Sequence, residues 1–177
     1  SMIIHIIRDV RDCCLSINNA WNKNIIRAAQ RWVDCVTKAI KDGKKAGKYL
    51  QIRYEDLLEN PALEMQIICG FLGLEFNRSM LTLSRPSEKS GDARGKAFIL
   101  RSNVRKYEAR MNSMDRRLIE ELASELLREL NYPTFYQGPT RRVGRVRMQF
   151  YKLIDGINLI RRGKIENISD IIVPPTS

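Results

Sequence analysis

The sequence has little of what metal sites, disulfide scaffolds and membrane spans require. It contains one histidine and four cysteines, Cys13, Cys14, Cys35 and Cys69, with no C-x-x-C pair. We therefore expect no zinc or other metal site, and we interpret the cysteines as mostly buried thiols in a reducing setting. No apolar run reaches the length of a membrane span, and the first residues lack the pattern of a signal peptide. These absences favour a cytoplasmic protein, unless a targeting segment precedes this chain.

Positive charge is what the chain has in excess. Its 177 residues are 44% hydrophobic and 29% charged, a globular balance that provides one domain with a sizeable core. The net charge of +11 and the pI near 9.8 indicate an anionic partner. Four kinds of partner are anionic in this sense: nucleic acid, an acidic membrane surface, a sulfated or phosphorylated polymer, and a highly charged nucleotide. Net charge alone does not distinguish among them.

The stretch Ile3–Ser16 predicts an anion site at the end of a strand. Ile3–Ile7 is apolar apart from His5 and is typical of a parallel strand buried on both faces, while Arg8 follows directly at its carboxyl end. Ligands of open α/β sheets bind at this end of the strands, so Arg8 is placed to meet one. Ser16 falls one to two turns into the following helix. An arginine and a hydroxyl near helix amides suit a phosphate.

The remaining pattern alternates helices with one further strand. A long amphipathic helix is expected from Ile25 to about Lys45, ended by Gly43 and Gly47, and a strand from Lys48 to Tyr54. Asn60 should cap a helix that begins at Pro61, with a buried stripe at Leu63, Ile67, Ile68, Phe71 and Leu72. Ser113 should cap a second strong helix over residues 114–130. The polar stretch 84–101 has no period and predicts a loop.

Residues 141–164 form a basic amphipathic helix in this interpretation, because eight basic residues share the span with Asp155 alone and the apolar positions keep helical spacing. Such a helix could lie on an anionic membrane surface. It could equally pack on the protein body with a solvated basic face. We predict three regions: the main portion at 1–135, the helical extension at 136–166 and a flexible tail at 167–177.

Two motifs resemble the sulfotransferase family. The first is Arg8-Asp9-Val10-Arg11-Asp12 with Ser16. The second is Tyr54-Glu55-Asp56-Leu57-Leu58-Glu59-Asn60-Pro61, followed by a helix into F-L-G-L. The resemblance covers about the first three quarters of the chain and corresponds to the carboxyl-terminal part of the family. It implies an α/β, P-loop-like fold with a parallel sheet flanked by helices, here incomplete and mostly helical in its second half.

The resemblance also implies a cofactor, the sulfuryl donor 3′-phosphoadenosine 5′-phosphosulfate. Arg8 and Ser16 have the spacing of the family's 3′-phosphate contacts, and Tyr54 stands where the family places a tyrosine beside the adenine. A further basic loop contact maps onto Arg101 and Ser102, with Arg94-Gly95-Lys96 as a competing candidate. Tyr107 occupies a position where the family often has tryptophan. The whole protein would then transfer a sulfuryl group to a hydroxyl or amine acceptor.

The family's loop for the 5′-phosphosulfate does not occur in this sequence, and its histidine base lies upstream of the strand, so it is not His5. We therefore expect the catalytic residues upstream of this chain and expect the chain alone to be inactive. The strand also begins at the start of the chain without a preceding turn or cap. This favours a fragment or a partly observed protein.

Other interpretations remain open. A non-enzymatic basic module could bind nucleic acid or an anionic membrane through residues 141–164, whereas the sulfotransferase interpretation expects no nucleic-acid partner. A P-loop kinase relative would share the fold but requires a lysine-bearing phosphate loop. Arg8 could simply pair with Asp9 or Asp12 at the surface. Independently of these alternatives, we interpret His5 as an ordinary core or edge residue whose ring nitrogens have hydrogen-bond partners.

Overall fold

The first third of the chain forms a two-stranded parallel sheet and the two helices that connect its strands. The computed structural model describes residues 2–82, 84–85 and 94–161. Strand β1 (Met2–Ile7) pairs with β2 (Lys48–Arg53) in register from Met2 opposite Lys48 to Ile7 opposite Arg53. Helices α1 (Val10–Trp21) and α2 (Ile25–Lys45) form the crossover between the strands. The predicted α/β class with a parallel sheet is confirmed.

The other regular elements of the described chain are all helices. After β2 they are α3 (Tyr54–Glu59), α4 (Pro61–Leu72), a short 3-10 helix (Arg78–Leu81), α5 (Tyr107–Arg110), α6 (Ser113–Glu129) and α7 (Arg145–Arg161). The predicted helices at 25–45, from Pro61 and near 114–130 are thus confirmed, with small shifts at their ends. Tyr54, predicted as the last residue of a strand, begins α3 instead.

Side-chain caps fix where the helices begin. Asp9 accepts a hydrogen bond from the Arg11 N–H at 2.8 Å and so caps α1, and Asn24 caps α2 in the same way. Asn112, rather than the predicted Ser113, caps α6 by accepting from the Asp115 N–H at 2.8 Å. Asn60 occupies the cap position of α4, but its side chain makes no capping bond.

Two glycines act differently near the end of α2. Gly47 adopts a positive φ of 78° just beyond the helix, which a residue with a side chain adopts at a cost. Gly43 lies inside the helix, although the sequence predicted that it would end there. The ring of Tyr49 packs against the position where a Cβ of residue 43 would project. Gly43 therefore permits close packing between α2 and β2.

Two predicted buried surfaces are partly exposed. Ile3 and Ile6 of β1 are exposed, so this strand is not buried on both faces within the described chain. The reason is that the described sheet has only two strands, with helix α2 packed against it. On α4, Leu63 and Ile67 are exposed and Cys69 is the buried residue, so the predicted stripe is also wrong.

The core lies between α1, α2 and α6. Ala29, Val33 and Val36 of α2 pack against Ile119 and Leu127 of α6 in one cluster of buried side chains. Ile7, Val10 and Cys14 bring the end of β1 and the start of α1 into the same cluster. This packing holds the β1–α1 turn, where Arg8 lies, on a rigid base.

Helix α7 lies within the predicted extension at 136–166 and contacts α2. The predicted tail at 167–177 lies outside the described residues. So do residues 86–93 of the predicted loop at 84–101. Among the described helices, none combines the length and the apolar character that a bilayer crossing requires. All four cysteines are free thiols; Cys14 and Cys69 are buried, whereas Cys35 is exposed.

Candidate functional site

Arg8 lies at the carboxyl end of β1, immediately before the cap of α1. Its main-chain carbonyl accepts a hydrogen bond from the Trp32 indole N–H at 3.1 Å, which fixes the backbone at this turn. The guanidinium Nη2 donates to the main-chain oxygen of Asn103 at 3.0 Å. Its Nε is buried without a hydrogen-bond partner. One donor of a permanently charged group is therefore unused at the end of the strand.

Tyr54 lies beside Arg8, because the parallel strands β1 and β2 end at the same edge of the sheet. The guanidinium carbon of Arg8 is 4.8 Å from the centroid of the Tyr54 ring, within the range of a cation–π contact. The Asn103 side-chain amide donates to the Tyr54 hydroxyl at 2.9 Å. Asn103 thus contacts both residues, through its main chain and its side chain. No role was predicted for Asn103 from the sequence.

Ser16 is exposed on α1, two turns beyond Arg8. Residues 12 and 16 lie on one side of α1 at an interval of four, whereas Arg8 precedes the cap of the helix. Asp12 lies between the two predicted phosphate contacts, with its Oδ2 3.8 Å from the Arg8 Nη2. The structure shows no direct contact between Arg8 and Ser16.

The loop containing Arg101 and Ser102 approaches Arg8 through the next residue, Asn103, whose carbonyl is the Arg8 acceptor. Both Arg101 and Ser102 are exposed in this turn. In the competing candidate 94–96, Arg94 is exposed and the Lys96 ammonium lies 5.8 Å from the centre of the Phe98 ring. The contact made by Asn103 therefore favours the loop at 101–102.

The charged motif after β1 is buried and not a set of surface ion pairs. Asp9, Arg11 and Asp12 are all at most 3% exposed. Asp12 accepts a hydrogen bond from the Tyr107 N–H at 3.0 Å, while burial raises the pKa of its carboxyl above the ordinary value. Arg8 does pair with Asp12, as one interpretation predicted, but the pair is not fully at the surface, because the Arg8 side chain is 22% exposed and that of Asp12 only 1%. The motif joins the strand end to α5 and α6 in the second half of the chain.

Arg11 forms the centre of this buried network. Its Nε and Nη2 donate to the two carboxylate oxygens of Asp9 at 2.9 and 2.6 Å, and its Nη1 donates to Glu120 at 2.6 Å. The guanidinium also stacks on the Tyr107 ring, 4.1 Å from its centroid. Burial raises the pKa of the Tyr107 hydroxyl to about 12. Glu120 lies in an otherwise ordinary helical pattern, so the sequence did not reveal its partner.

Glu55 supports the same turn from the start of α3. Its Oε1 accepts from the Asp9 N–H at 3.0 Å and its Oε2 accepts from the Tyr132 hydroxyl at 2.8 Å. The Tyr132 hydroxyl also contacts the carbonyl of Ile7. Glu55 thus joins the carboxyl ends of both strands to the segment after α6. His5 is satisfied separately, since its Nδ1 lies 2.7 Å from the Tyr49 hydroxyl.

In the variant Glu120→Gln, the free energy of unfolding is expected to depend less on pH under acidic conditions. Burial by itself raises the pKa of Glu120, but hydrogen bonds outweigh it and lower the pKa below 4.5; their donors are Tyr136 N–H, Arg11, Arg116 and Thr134. The ionised carboxylate therefore stabilises the fold above about pH 4.5, and this contribution is lost as the pH falls below that value. Urea denaturation measured at several pH values on both sides of 4.5 gives the free energy of unfolding. It should fall less steeply with decreasing pH in the variant than in the wild type. Parallel curves would contradict the assignment.

Comparison with known proteins agrees with the motifs. Residues 1–78 match the model of the sulfotransferase family, a range that contains Arg8, Ser16 and Tyr54. No curated protein matches the chain in sequence.

Two solved structures resemble the fold. The sulfotransferase domain of the Synechococcus PCC 7002 olefin synthase superposes with a TM-score of 0.58 at 23% identity, covering 75% of this chain and 50% of that one. The sulfotransferase domain from the curacin biosynthetic pathway gives 0.53 at 20% identity, covering 75% and 54%. This chain therefore spans about half the length of either domain. The predicted resemblance is confirmed: residues 1–78 match the sulfotransferase family, and the chain has the fold of sulfotransferase domains.

Proposed function

We propose that the chain binds 3′-phosphoadenosine 5′-phosphosulfate. In this proposal Arg8 and Ser16 contact the 3′-phosphate, Tyr54 lies beside the adenine, and Arg101 and Ser102 supply the loop contact. The observation that carries the proposal is that Arg8 and Tyr54 lie together at the carboxyl ends of β1 and β2, with the Nε of Arg8 unpartnered. The complete protein would use the bound nucleotide to transfer a sulfuryl group to a hydroxyl or amine.

The residues present fit the phosphate and base of this nucleotide. Asn103 and the Tyr54 ring orient Arg8, whose side chain remains 22% exposed and so can meet an anionic oxygen. The Tyr54 ring offers an apolar surface of the size of a base. The Asp12 carboxylate beside Arg8 opposes an anion, but the raised pKa of Asp12 reduces the cost of neutralising it when phosphate binds.

The bound nucleotide would supply the sulfuryl group, and the residues of this chain would hold the nucleotide. Sulfuryl transfer, like phosphoryl transfer, depends mainly on alignment and on stabilisation of charge. The Asp9–Arg11–Glu120 network positions the turn that carries Arg8 and so serves alignment. We assign it no chemical step.

The test compares two nucleotides by isothermal titration calorimetry on the full-length protein. Arg8→Ala is expected to lower the affinity for 3′-phosphoadenosine 5′-phosphate by roughly 10- to 100-fold, because a hydrogen bond to a charged group is lost. Adenosine 5′-phosphate lacks the 3′-phosphate, so the same variant should bind it as the wild type does. The exposed Arg128→Ala on α6 serves as a control for net charge. Equal affinities of wild type and Arg8→Ala for the first nucleotide would rule out the assignment.

A further inference from the structure

Helix α7 exposes its apolar side. Apolar residues recur along it at intervals of four and three, and each is more than half exposed: Val146, Phe150, Leu153, Ile157 and Ile160. Helix α7 does pack on the protein body, as one interpretation predicted, but it packs through Tyr151 and Asp155 and not through this stripe. A continuous apolar stripe of this kind is uncommon on a monomer without a binding role.

The opposite side of α7 is the one that contacts the body. The buried carboxylate of Asp155 accepts from the Asn24 N–H at 2.6 Å and pairs with Arg27 at 2.5 Å. Asn158 donates to the carbonyl of Asn22, at the end of α1. At 100° per residue, Asp155 lies roughly opposite the centre of the apolar stripe. These polar contacts hold α7 with its apolar side facing outward.

Basic residues border the apolar stripe on both sides. Arg145 and Lys152 lie about 100–120° from its centre on one side, and Arg147 lies about 100° from it on the other. All three are exposed. Asp155 is the only acidic residue within α7, and its carboxylate is turned toward Arg27. The outward side of α7 is thus apolar at its centre and cationic at its edges.

We propose that α7 docks flat on an anionic lipid surface, with the stripe in the acyl boundary and the flanking cations at the phosphates. Long basic side chains at the edge of an apolar stripe can extend to the headgroups while their stems stay in apolar surroundings. A nucleic acid would leave the five apolar side chains in water. A second copy of the helix would bring two stripes with cationic edges together, so like charges would face each other.

The surface is independent of the proposed nucleotide site, because none of the five proposed nucleotide contacts lies on α7. When α7 binds the membrane, the rest of the protein would remain attached to α7 through the contact between Asp155 and Arg27 of α2. Failure of one proposal therefore leaves the other intact.

The test is co-sedimentation of the full chain with two kinds of vesicle. Phosphatidylcholine vesicles with phosphatidylserine should bind it on the order of 100-fold more tightly than phosphatidylcholine alone, since each of three cations contributes about fivefold. The double variant Phe150→Glu/Leu153→Glu should weaken binding by at least about 100-fold, because two apolar side chains no longer enter the lipid. Raising the ionic strength should weaken binding of the wild type.

The matched control places the same two charges on exposed apolar residues of another helix. Leu63→Glu/Ile67→Glu on α4 should change vesicle binding by no more than about twofold if only α7 enters the lipid. Phe150→Ser/Leu153→Ser, which adds no charge, is measured in parallel, with circular dichroism to check folding. Equal loss in the α4 and α7 variants would overturn the proposal. So would binding that ignores phosphatidylserine, or a dimer in sedimentation velocity that the α7 variants dissociate without any vesicle binding.

Discussion

Replacing Arg11 with methionine is expected to lower the free energy of unfolding by about 3–5 kcal/mol. The guanidinium of Arg11 is fully buried and compensates the carboxylates of Asp9 and Glu120. Methionine fills a similar volume but leaves both carboxylates without this cation. The loss therefore comes from uncompensated buried charge and not from a cavity. Urea denaturation followed by circular dichroism measures it.

The control for Arg11→Met is Arg117→Met on α6. Arg117 also pairs with a carboxylate, that of Glu121 at 3.1 Å, but its side chain is 73% exposed. Exposed pairs contribute about 0–1 kcal/mol, so this variant should remain close to the wild type. Similar losses in the two variants would show that burial does not distinguish the pairs.

Glu55→Ala is expected to cost about 2–4 kcal/mol of stability, because it leaves the buried Asp9 N–H and the Tyr132 hydroxyl without their carboxylate acceptor. Tyr132 retains a weaker contact with the carbonyl of Ile7, which limits the loss. Removal of the next carboxylate, in Asp56→Ala, provides the control. Asp56 is 42% exposed and lies 3.7 Å from Arg53.

Asp56→Ala should lower stability by less than about 1 kcal/mol. The comparison separates two adjacent acids that the sequence does not distinguish. A loss from Asp56→Ala as large as that from Glu55→Ala would mean that the first turn of α3 depends on helix-end charge and not on the bonds to Asp9 and Tyr132. Chemical denaturation of the three proteins under one condition decides this.

Much of the fold follows from local patterns. Ile3–Ile7 and Lys48–Arg53 are apolar or alternating segments bounded by charge or glycine, and both form strands. The α2 helix was predictable because its apolar residues keep one helical period from Ile25 to Ile40. The errors concern faces and caps. Leu63 and Ile67 have suitable spacing, but whether a stripe is covered depends on neighbouring elements that local sequence does not specify.

The candidate site was predictable where its residues lie in a motif or directly after a predicted strand. The proximity of Arg8 and Tyr54 follows from parallel strands that end at the same edge. Asn103 and Glu120 escaped prediction because each acts across about 95 to 109 positions of sequence, through a loop carbonyl and a buried carboxylate. All five proposed nucleotide contacts, those of Arg8 and Tyr54 included, stay predictions until binding is measured.

The network around Arg11 also affects how the protein can emerge from the ribosome. Arg11 bonds to a residue 109 positions later and to a carbonyl 122 positions later. At typical synthesis rates, roughly 6–25 s separate the appearance of Arg11 from that of its last partner. During this interval Arg11 can pair with Asp9, but the Glu120 partner of Arg11 and the Tyr107 partner of Asp12 are not yet available, so the network cannot be completed. We expect the first half of the nascent chain to stay sensitive to protease until residues near Pro133 have left the exit tunnel.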